Sequence, residues 1–417
     1  MSLDSVSSCP DAANNQYHLA AQEFLRLDPL EALRALKLER LERGEEIADL
    51  SMLNPDMAPP RFLLDKLMEA SAKPFNHRYA VSRGVRRLRD GFAEKYQARF
   101  GVTLSAEREV CATLGTKDAV LQALRVLTSP GDKILCVTPV YPAYRGVASL
   151  QGLELHTVNV EETVSGEEGR NTEDLLAQRI AEAVLRLTPK VVLLNFPNNP
   201  TGMVVSRSFW VRVIEAARSV GTVVLNDFVY GELLHAGGAG ASALAAKDSK
   251  QGVIESYSLS KAYNVPGWRV GALIGDAAIV EAVGRLKSHV DYGIFLPVQL
   301  AAACALEARE NLTMSTAAEY RARAQVLISG LRRCGFLVNE PAAGGSVWAK
   351  APAAGVGPKG MGVPEALLAR AGILAAPGIL YGPEWSGHLR FALVLPVERL
   401  RDACRRISEV QGASLHA

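Results

Sequence analysis

Helical and strand patterns alternate along most of the chain. Segments with the periodicity of an amphipathic helix lie at 28–44, 84–99, 117–128 and 206–220. Between them are short apolar runs, at 110–114, 133–137, 191–196, 222–226 and 252–257. The run 191–196 is apolar except at Asn195, as expected of a strand that is buried on both faces. The alternation predicts a mostly parallel sheet with crossover helices, an α/β architecture.

The pattern changes after about residue 300. Helical segments are predicted at 300–308, 315–334, 365–371 and 397–411, and short strands at 336–339, 372–376 and 388–393. This predicts a smaller α+β domain, because 417 residues are too many for one core. The predicted domain organisation is a flexible N-terminal tail at 1–25, a helix and joining segment at 26–70, a large domain at 71–300 and a small domain at 301–417.

Composition and charge narrow the range of partners. The formal net charge is +2, which gives no electrostatic reason to expect nucleic acid or an anionic membrane. The six cysteines are scattered, without the spacing of a zinc site or of a disulfide framework. The N-terminus has neither a basic start nor an apolar stretch, and no run approaches 18 apolar residues. We therefore expect a cytoplasmic protein whose partners are small molecules.

The segment around Lys261 carries the clearest chemistry. Lys261 lies in a run of small and hydroxyl residues, with Ser258 three positions before it and Arg269 eight positions after it. A lysine amine can form a Schiff base with an aldehyde, while hydroxyl and guanidinium groups can hold a phosphate. This combination suits pyridoxal phosphate. The alternative is an exposed Lys/Arg pair on a serine-rich loop.

Polar residues follow the predicted strands, where ligands bind in parallel sheets. Asp227 ends a buried strand, where a carboxylate is costly without a positive partner, and a protonated pyridine nitrogen would supply one. Asn199 and Tyr230 are candidates to donate hydrogen bonds to the phenolic oxygen of the cofactor. The alternatives are that Asp227 caps the next helix and that Asn199 simply belongs to a turn.

Three further positions complete the candidate site. Thr116 and Lys117 begin a helix, whose free N–H groups and positive dipole end can hold a phosphate together with Ser258 and Arg269. Tyr141 follows a strand and can stack on a pyridine ring, although ordinary packing explains it equally well. Arg390 suits bidentate binding of a substrate carboxylate, but alone it is equally compatible with a surface position.

Three of these motifs together resemble the class I/II aminotransferases of the aspartate aminotransferase superfamily, which have pyridoxal phosphate fold type I. They are Asn199-Pro-Thr-Gly202, Asp227-x-x-Tyr230 and Ser258-x-x-Lys261-x(7)-Arg269. The resemblance covers about residues 28–410. The stretches around Tyr79–Arg89, Lys287–Gly293 and Val347–Lys350 look like the bacterial alanine-aminotransferase-like branch.

The resemblance implies a large domain with a mostly parallel, seven-stranded-type sheet. It also implies that the protein is an enzyme that moves an amino group between an L-amino acid and a 2-oxo acid through a Lys261 Schiff base. It also implies a homodimer in which Tyr79 reaches the phosphate of the neighbouring subunit. The other implied roles are those of Asp227 at the pyridine nitrogen, Asn199 and Tyr230 at the phenolic oxygen, Tyr141 on the ring, Thr116, Lys117, Ser258 and Arg269 at the phosphate, and Arg390 at the substrate carboxylate.

Three stretches depart from the pattern of the family. Leu53 stands near the substrate where relatives usually have glycine, and Gly345 and Ser346 replace a large residue and a tyrosine. The stretch 237–243 is unusually rich in glycine. Neutral drift explains all three equally well. A roomier pocket would instead favour a second hypothesis, a pyridoxal phosphate enzyme that performs β- or γ-elimination, replacement or cyclisation of a bulky amino acid. A third hypothesis is a non-catalytic regulatory or binding protein.

Overall fold

The structure is a computed structural model that describes residues 29–160, 172–246, 250–308, 312–352 and 362–414. The predicted N-terminal tail at 1–25 lies outside these residues. The described chain divides into two compact units. The larger unit comprises 55–321 and 342–344, and the smaller unit comprises the described residues up to 54 together with 322–341 and those from 345 onward.

The strands are β1 Ala48–Leu50, β2 Val110–Thr113, β3 Lys133–Thr138, β4 Glu154–Asn159, β5 Val191–Leu194, β6 Val223–Asp227, β7 Val253–Ser258, β8 Gly271–Gly275, β9 Leu337–Val338, β10 Ser346–Lys350, β11 Ile373–Pro377 and β12 His388–Ala392. The α-helices are α1 Pro29–Glu42, α2 Arg61–Ser71, α3 Arg86–Phe100, α4 Thr116–Leu127, α5 Pro142–Leu150, α6 Thr172–Leu187, α7 Arg207–Ser219, α8 Leu259–Ala262, α9 Ala277–Val290, α10 Leu296–Glu307, α11 Leu312–Arg333, α12 Val363–Ala366 and α13 Val397–Ser414.

The larger unit is built on a seven-stranded sheet with the order β2-β8-β7-β6-β5-β3-β4. Neighbouring strands from β7 to β4 run parallel, and β8 is antiparallel to both of its neighbours. The strands β2 and β7 therefore point the same way, and their last residues, Thr113 and Ser258, both pair with Gly271. The carboxyl ends of six strands consequently meet at one edge of the sheet. This confirms the predicted α/β architecture.

Apolar side chains from the sheet and its helices form the core of this unit. Strand β5 is buried along its whole length, as its continuous apolar run predicted, and the same holds for β7. Helix α4 is amphipathic and packs Val120 and Leu124 into the same cluster as Ile134 and Leu193. The helices thus cover a sheet whose strands need apolar partners on both faces.

The smaller unit has a five-stranded sheet in the order β1-β11-β12-β10-β9. Strand β1 is parallel to β11, and the other pairs are antiparallel. Leu33 of α1 packs with Leu368 and Leu374 beside this sheet. The N-terminal helix therefore packs within the smaller unit.

The sequence patterns missed four strands, β1, β4, β8 and β10, and shifted several boundaries. Strand β4 is only half-buried along its length, and β8 begins and ends with glycine. Neither has the continuous apolar run on which the prediction relied. The run 191–196 ends as a strand at Leu194, because Asn195 and Phe196 leave the ladder to form the loop described below. No helix in the described part of the chain is long and apolar enough to cross a membrane.

We expect Gly275→Ala to destabilise the larger unit far more than Gly221→Ala. Both glycines have positive φ, 135° and 71°, which disfavours alanine. A Cβ at Gly275 would also lie 2.3 Å from the Val253 carbonyl oxygen, whereas Gly221 has open space around it. Unfolding in urea should show a loss of about 1 kcal/mol for Gly221→Ala and at least about twice that for Gly275→Ala. Equal losses would show that β8 moves away from β7 at little cost.

Candidate active site

Most of the predicted site residues lie beyond the carboxyl ends of the parallel strands of the larger unit. Within that unit, the fold brings the segments that contain them to one edge of the sheet, where ligands bind in open α/β folds. These residues are Thr116 and Lys117 after β2, Tyr141 after β3, Asn199 after β5, Asp227 and Tyr230 at and after β6, and Ser258 and Lys261 at and after β7.

Asp227 is a deeply buried charged residue at this edge. Its side chain is almost fully excluded from solvent and accepts hydrogen bonds from Tyr144 Oη at 2.6 Å and Ser256 Oγ at 2.8 Å. Burial raises the pKa of the carboxyl, and hydrogen bonds from Tyr144, Ser256 and Thr116 lower it in part. None of the ion pairs formed by the described residues includes Asp227. The carboxylate therefore lacks the positive partner that an ionised buried group needs.

This arrangement fits the cofactor that the sequence motifs imply. A protonated pyridine nitrogen is a cation that would compensate the buried Asp227 carboxylate and, in turn, be kept protonated by it. The two hydroxyl groups fix the orientation of the carboxylate. Asp227 is thus a suitable partner for the ring nitrogen of pyridoxal phosphate.

A network of asparagine side chains holds the loop that follows β5. Asn195 Nδ2 donates to the Asp227 carbonyl oxygen at 2.6 Å, and Asn195 Oδ1 accepts from the Asn199 backbone N–H at 2.9 Å. Asn226 Oδ1 accepts from the Phe196 N–H at 3.0 Å. The loop is therefore attached to the end of β6, and Asn199 within it is buried.

Arg269 lies directly against the start of helix α4. Its Nη2 donates to the Leu114 carbonyl at 2.9 Å, and a Cβ added to Gly115 would lie 2.7 Å from the same nitrogen. Gly115 has φ 82°, so glycine is needed both for the turn and for the approach of the guanidinium. A cation next to the positive end of a helix is unfavourable unless an anion binds to both. This local arrangement suits a phosphate group.

Lys261 and Ser258 lie where β7 passes into the one-turn helix α8. Ser258 is the N-cap of α8: its Oγ accepts from the Ser260 N–H at 3.1 Å and lies 3.2 Å from the Val270 carbonyl. Lys261 is half-buried, three residues further on. Ser256, which binds Asp227, belongs to the same strand. The lysine and the carboxylate are therefore carried by adjacent parallel strands.

Tyr141 is the N-cap of α5, and its ring packs edge-on against Tyr144 with centroids 5.5 Å apart. The exposed Lys117 ammonium lies 5.7 Å from the centroid of the Tyr141 ring. Because Tyr144 is bonded to Asp227, the Tyr141 ring lies next to the proposed pyridine partner and next to the start of α4. This position supports the predicted stacking role.

The structure also identifies two site residues that the sequence motifs did not. Tyr144 and Ser256 are the hydroxyl donors to Asp227. A signal existed for Tyr144, because it lies three residues after Tyr141 at the start of a helix and so shares its face. Ser256 lies two residues before Ser258 on a strand, hence on the same side.

Of the remaining predicted residues, Arg390 and Leu53 belong to the smaller unit and Tyr79 belongs to the larger unit. Arg390 is buried on β12 in the smaller unit, where its Nη2 donates to the Ser51 carbonyl and its guanidinium lies 5.8 Å from the Tyr381 ring centroid. Leu53, two residues after Ser51, is also buried. Tyr79 of the larger unit is 90% exposed and forms a tilted ring pair with Tyr292 at 5.2 Å.

Comparison with known proteins identifies the family of the chain. The sequence model of the family described as aminotransferase class I and II matches residues 45–407. The chain is 33% identical to the glutamate-pyruvate aminotransferase AlaC of Escherichia coli (strain K12), with 93% of each chain covered. It is 34% identical to the LL-diaminopimelate aminotransferase of Desulforudis audaxviator, covering 93% of this chain and 95% of that protein. The solved structure of BacF from Bacillus subtilis, with substrate bound, superposes with a TM-score of 0.83 at 30% identity, covering 92% and 95%.

The chain therefore belongs to the class I and II aminotransferases and has pyridoxal phosphate fold type I. It is a pyridoxal phosphate-dependent aminotransferase, an enzyme that transfers an amino group between an amino acid and a 2-oxo acid. The resemblance inferred from the motifs is confirmed. The relatives support transamination rather than elimination, cyclisation or a non-catalytic role.

We expect Tyr144→Phe to weaken catalysis by removing one hydrogen bond to the Asp227 carboxylate. A hydrogen bond to a charged group contributes about 1.5–3 kcal/mol, so kcat/KM should fall roughly 10- to 100-fold. Tyr141→Phe is the matched control, because the proposed role of Tyr141 needs only its ring. Steady-state kinetics of both variants test this, and equal activity of Tyr144→Phe and the wild type would contradict it.

Proposed function

We propose that Lys261 is the catalytic acid–base of the transamination and that Asp227 is the partner of the cofactor's ring nitrogen. The observation that carries this proposal is the buried Asp227 carboxylate, fixed by Tyr144 and Ser256 on the strand next to the one that leads to Lys261. Pyridoxal phosphate, when bound, draws electron density away from the α-carbon of the amino acid, so that the α-proton becomes acidic.

Residues of this chain transfer the proton and hold the cofactor ring. Lys261 Nζ takes the proton from the α-carbon of the amino acid and gives it up again when the amino group is transferred. Asp227 keeps a positive charge on the neighbouring ring nitrogen. Asn199 and Tyr230, both buried, hold the phenolic oxygen by donating hydrogen bonds. The Tyr141 ring restricts the cofactor ring by stacking.

The phosphate group is proposed to bind at the start of α4. The backbone N–H groups of Thr116 and Lys117 face outward from the first turn, where the helix leaves its donors unsatisfied. Arg269, already held against Leu114 and Gly115, supplies a charge-assisted donor. Ser258 contributes its hydroxyl from the start of α8.

Arg390 is proposed to bind the α-carboxylate of the substrate. It is buried, and the contacts with Ser51 and Tyr381 hold its guanidinium in place. A fixed guanidinium binds a carboxylate with two parallel hydrogen bonds. Leu53, close to Ser51 in sequence, is proposed to shape the approach of the substrate side chain. Glutamate, alanine and LL-diaminopimelate, which the names of the relatives suggest, are the first amino donors to assay.

The exposed aromatic surface around Tyr79 supports a homodimer. Large apolar side chains are exposed in the segments that flank a surface cavity of about 470 Å³ lined by 77–80 and 291–295. They are Phe75, Tyr79, Val81, Tyr292 and Phe295. Such a surface marks an interaction site. We propose that a second copy of this chain covers it and that Tyr79 contributes to the phosphate site of the neighbouring subunit.

A cytoplasmic location is also proposed. The described cysteines form no disulfide bonds, and most of them are buried. Burial raises the pKa of Cys111 to about 11 and that of Cys136 to about 12, so these thiols stay protonated and unreactive at neutral pH. Such cysteines are typical of a reducing compartment.

We expect Lys261→Ala to lose both turnover and the visible absorbance of the lysine-bound cofactor. Removing the base should lower kcat by about 10³-fold or more. Lys73→Ala, which changes an exposed lysine, is the matched control and should retain both properties. Absorbance spectra and assays with the amino donors named above measure the two effects. A Lys261→Ala variant that retained both would show that another residue carries the cofactor.

Subunit mixing tests the role of Tyr79. Tyr79→Ala and Lys261→Ala should each give a weakly active protein. Hybrid dimers made by co-expression of both variants have one site with Lys261 from one subunit and Tyr79 from the other. A random mixture should therefore recover about a quarter of wild-type activity, because half of the dimers are hybrids with one intact site each. No recovery in isolated hybrids would show that each subunit uses its own Tyr79.

A further inference from the structure

Lys287 is a charged residue with no exposed surface, and none of the roles above uses it. It lies near the end of α9, and its Nζ forms ion pairs with Asp118 Oδ2 at 3.2 Å and Asp291 Oδ2 at 2.5 Å. Burial alone would lower the pKa of the ammonium, but Asp118 and Asp291 together raise it. Lys287 therefore remains charged between two carboxylates.

Asp118 connects Lys287 to the proposed phosphate site. It is the third residue of α4, and its Oδ2 accepts a hydrogen bond from the Leu114 N–H at 2.9 Å. The carbonyl of the same residue, Leu114, accepts from Arg269. Asp118 and Arg269 thus hold the two successive peptide units on either side of Leu114, directly before Gly115 and Thr116. The geometry of the phosphate-binding turn depends on both.

The negative charge of Asp118 disfavours phosphate binding nearby, and Lys287 compensates this charge. A carboxylate in the first turn favours the helix, because it interacts well with the positive end of the dipole. The same carboxylate repels a phosphate dianion bound at that helix end. The Lys287 ammonium, 3.2 Å from Asp118 Oδ2, neutralises the carboxylate without removing its hydrogen bond to Leu114.

Asp291 connects Lys287 to the exposed aromatic pair. Its Oδ1 accepts from the Gly293 N–H at 2.8 Å, which closes a turn around Tyr292. Tyr292 and Gly293 have positive φ, 51° and 89°, so this turn is held in a conformation that needs support. The turn presents the Tyr292 ring to Tyr79.

We propose that Lys287 is a positioning residue for the cofactor phosphate: it neutralises Asp118 under the phosphate-binding turn and, through Asp291, couples that turn to the Tyr79–Tyr292 pair. The proposal rests on the phosphate site described under Proposed function. Lys287 acts through Asp118 and Asp291. A purely structural ion pair would stabilise the fold without affecting the share of cofactor affinity that comes from the phosphate.

The ratio of the affinities for pyridoxal phosphate and pyridoxal distinguishes a positioning role of Lys287 from a purely structural one. Pyridoxal phosphate and pyridoxal differ only in the phosphate, so the ratio of their dissociation constants for the apoenzyme isolates the phosphate contribution. We expect Lys287→Met to weaken pyridoxal phosphate binding about tenfold, a change of about 1.4 kcal/mol, and to leave pyridoxal binding within about twofold. Equal changes for both ligands, or no change, would overturn the proposal. Titrations in phosphate-free buffer give both constants.

A compensating variant tests the electrostatic argument. Asp118→Asn in the Lys287→Met background removes the unneutralised carboxylate but keeps an oxygen that can accept from Leu114. We expect the double variant to regain most of the phosphate-dependent affinity. Failure to regain it would refute the charge argument. The double variant is also the usable protein if Lys287→Met alone does not fold, because it leaves one carboxylate without the ammonium, Asp291, instead of two, and Asp291 still accepts from the Gly293 N–H.

Hydrogen exchange of the wild type and of Asp291→Asn tests the coupling. Pyridoxal phosphate should slow amide exchange in 112–118 and in 289–295. In Asp291→Asn, which keeps the pair between Lys287 and Asp118, only the first segment should remain protected. Absence of protection at 289–295 in the wild type, or its persistence in Asp291→Asn, would overturn the coupling.

Arg269→Ala distinguishes failure of this inference from failure of the proposed site. If Arg269→Ala lowers the phosphate-dependent affinity and Lys287→Met does not, the phosphate site stands and the role of Lys287 is refuted. If neither variant changes the ratio, the phosphate binds elsewhere and both proposals fall.

Discussion

The buried carboxylate of Asp227 is the constraint around which the active-site edge is organised. Removing an ionised carboxylate from water costs several kcal/mol, and the hydrogen bonds from Tyr144, Ser256 and Thr116 offset only part of that cost. Tyr144 and Ser256 come from different elements, so the sheet and α5 must both be in place before Asp227 has its partners. The carboxylate remains without an ion-pair partner among the described residues, which makes it a strong binding group for a protonated ring.

The opposite charge balance is found at the other end of the proposed cofactor site. There Arg269 and the start of α4 are both positive and need an anion, whereas Asp118 in the same turn is negative and is neutralised by Lys287. One end of the proposed site in the larger unit thus needs a cation, and the other end needs an anion. An aromatic molecule with a protonated nitrogen at one end and a phosphate at the other meets both, and pyridoxal phosphate has this distribution of charge.

The central strands of the larger unit and the family of the protein could be predicted from the sequence. Continuous apolar runs identified the central strands because a strand buried on both faces admits few polar residues. The motifs around Lys261, Asp227 and Asn199 identified the family because the cofactor requires those residue types at those spacings. The half-buried β4 and the glycine-bounded β8 escaped prediction, since the first is not continuously apolar and the second has the residues of a turn.

The sequence by itself determined which chemical groups this protein has and which of them follow a strand. Only the tertiary structure decided which of these groups meet. Tyr144 and Asp227 are 83 residues apart and Lys287 and Asp118 are 169 apart, yet each pair is in hydrogen-bond contact. Such contacts depend on strand order and register, which are set by the packing of the whole sheet. Local sequence patterns therefore reveal Asp227, but not the residues Tyr144 and Ser256 that hold it.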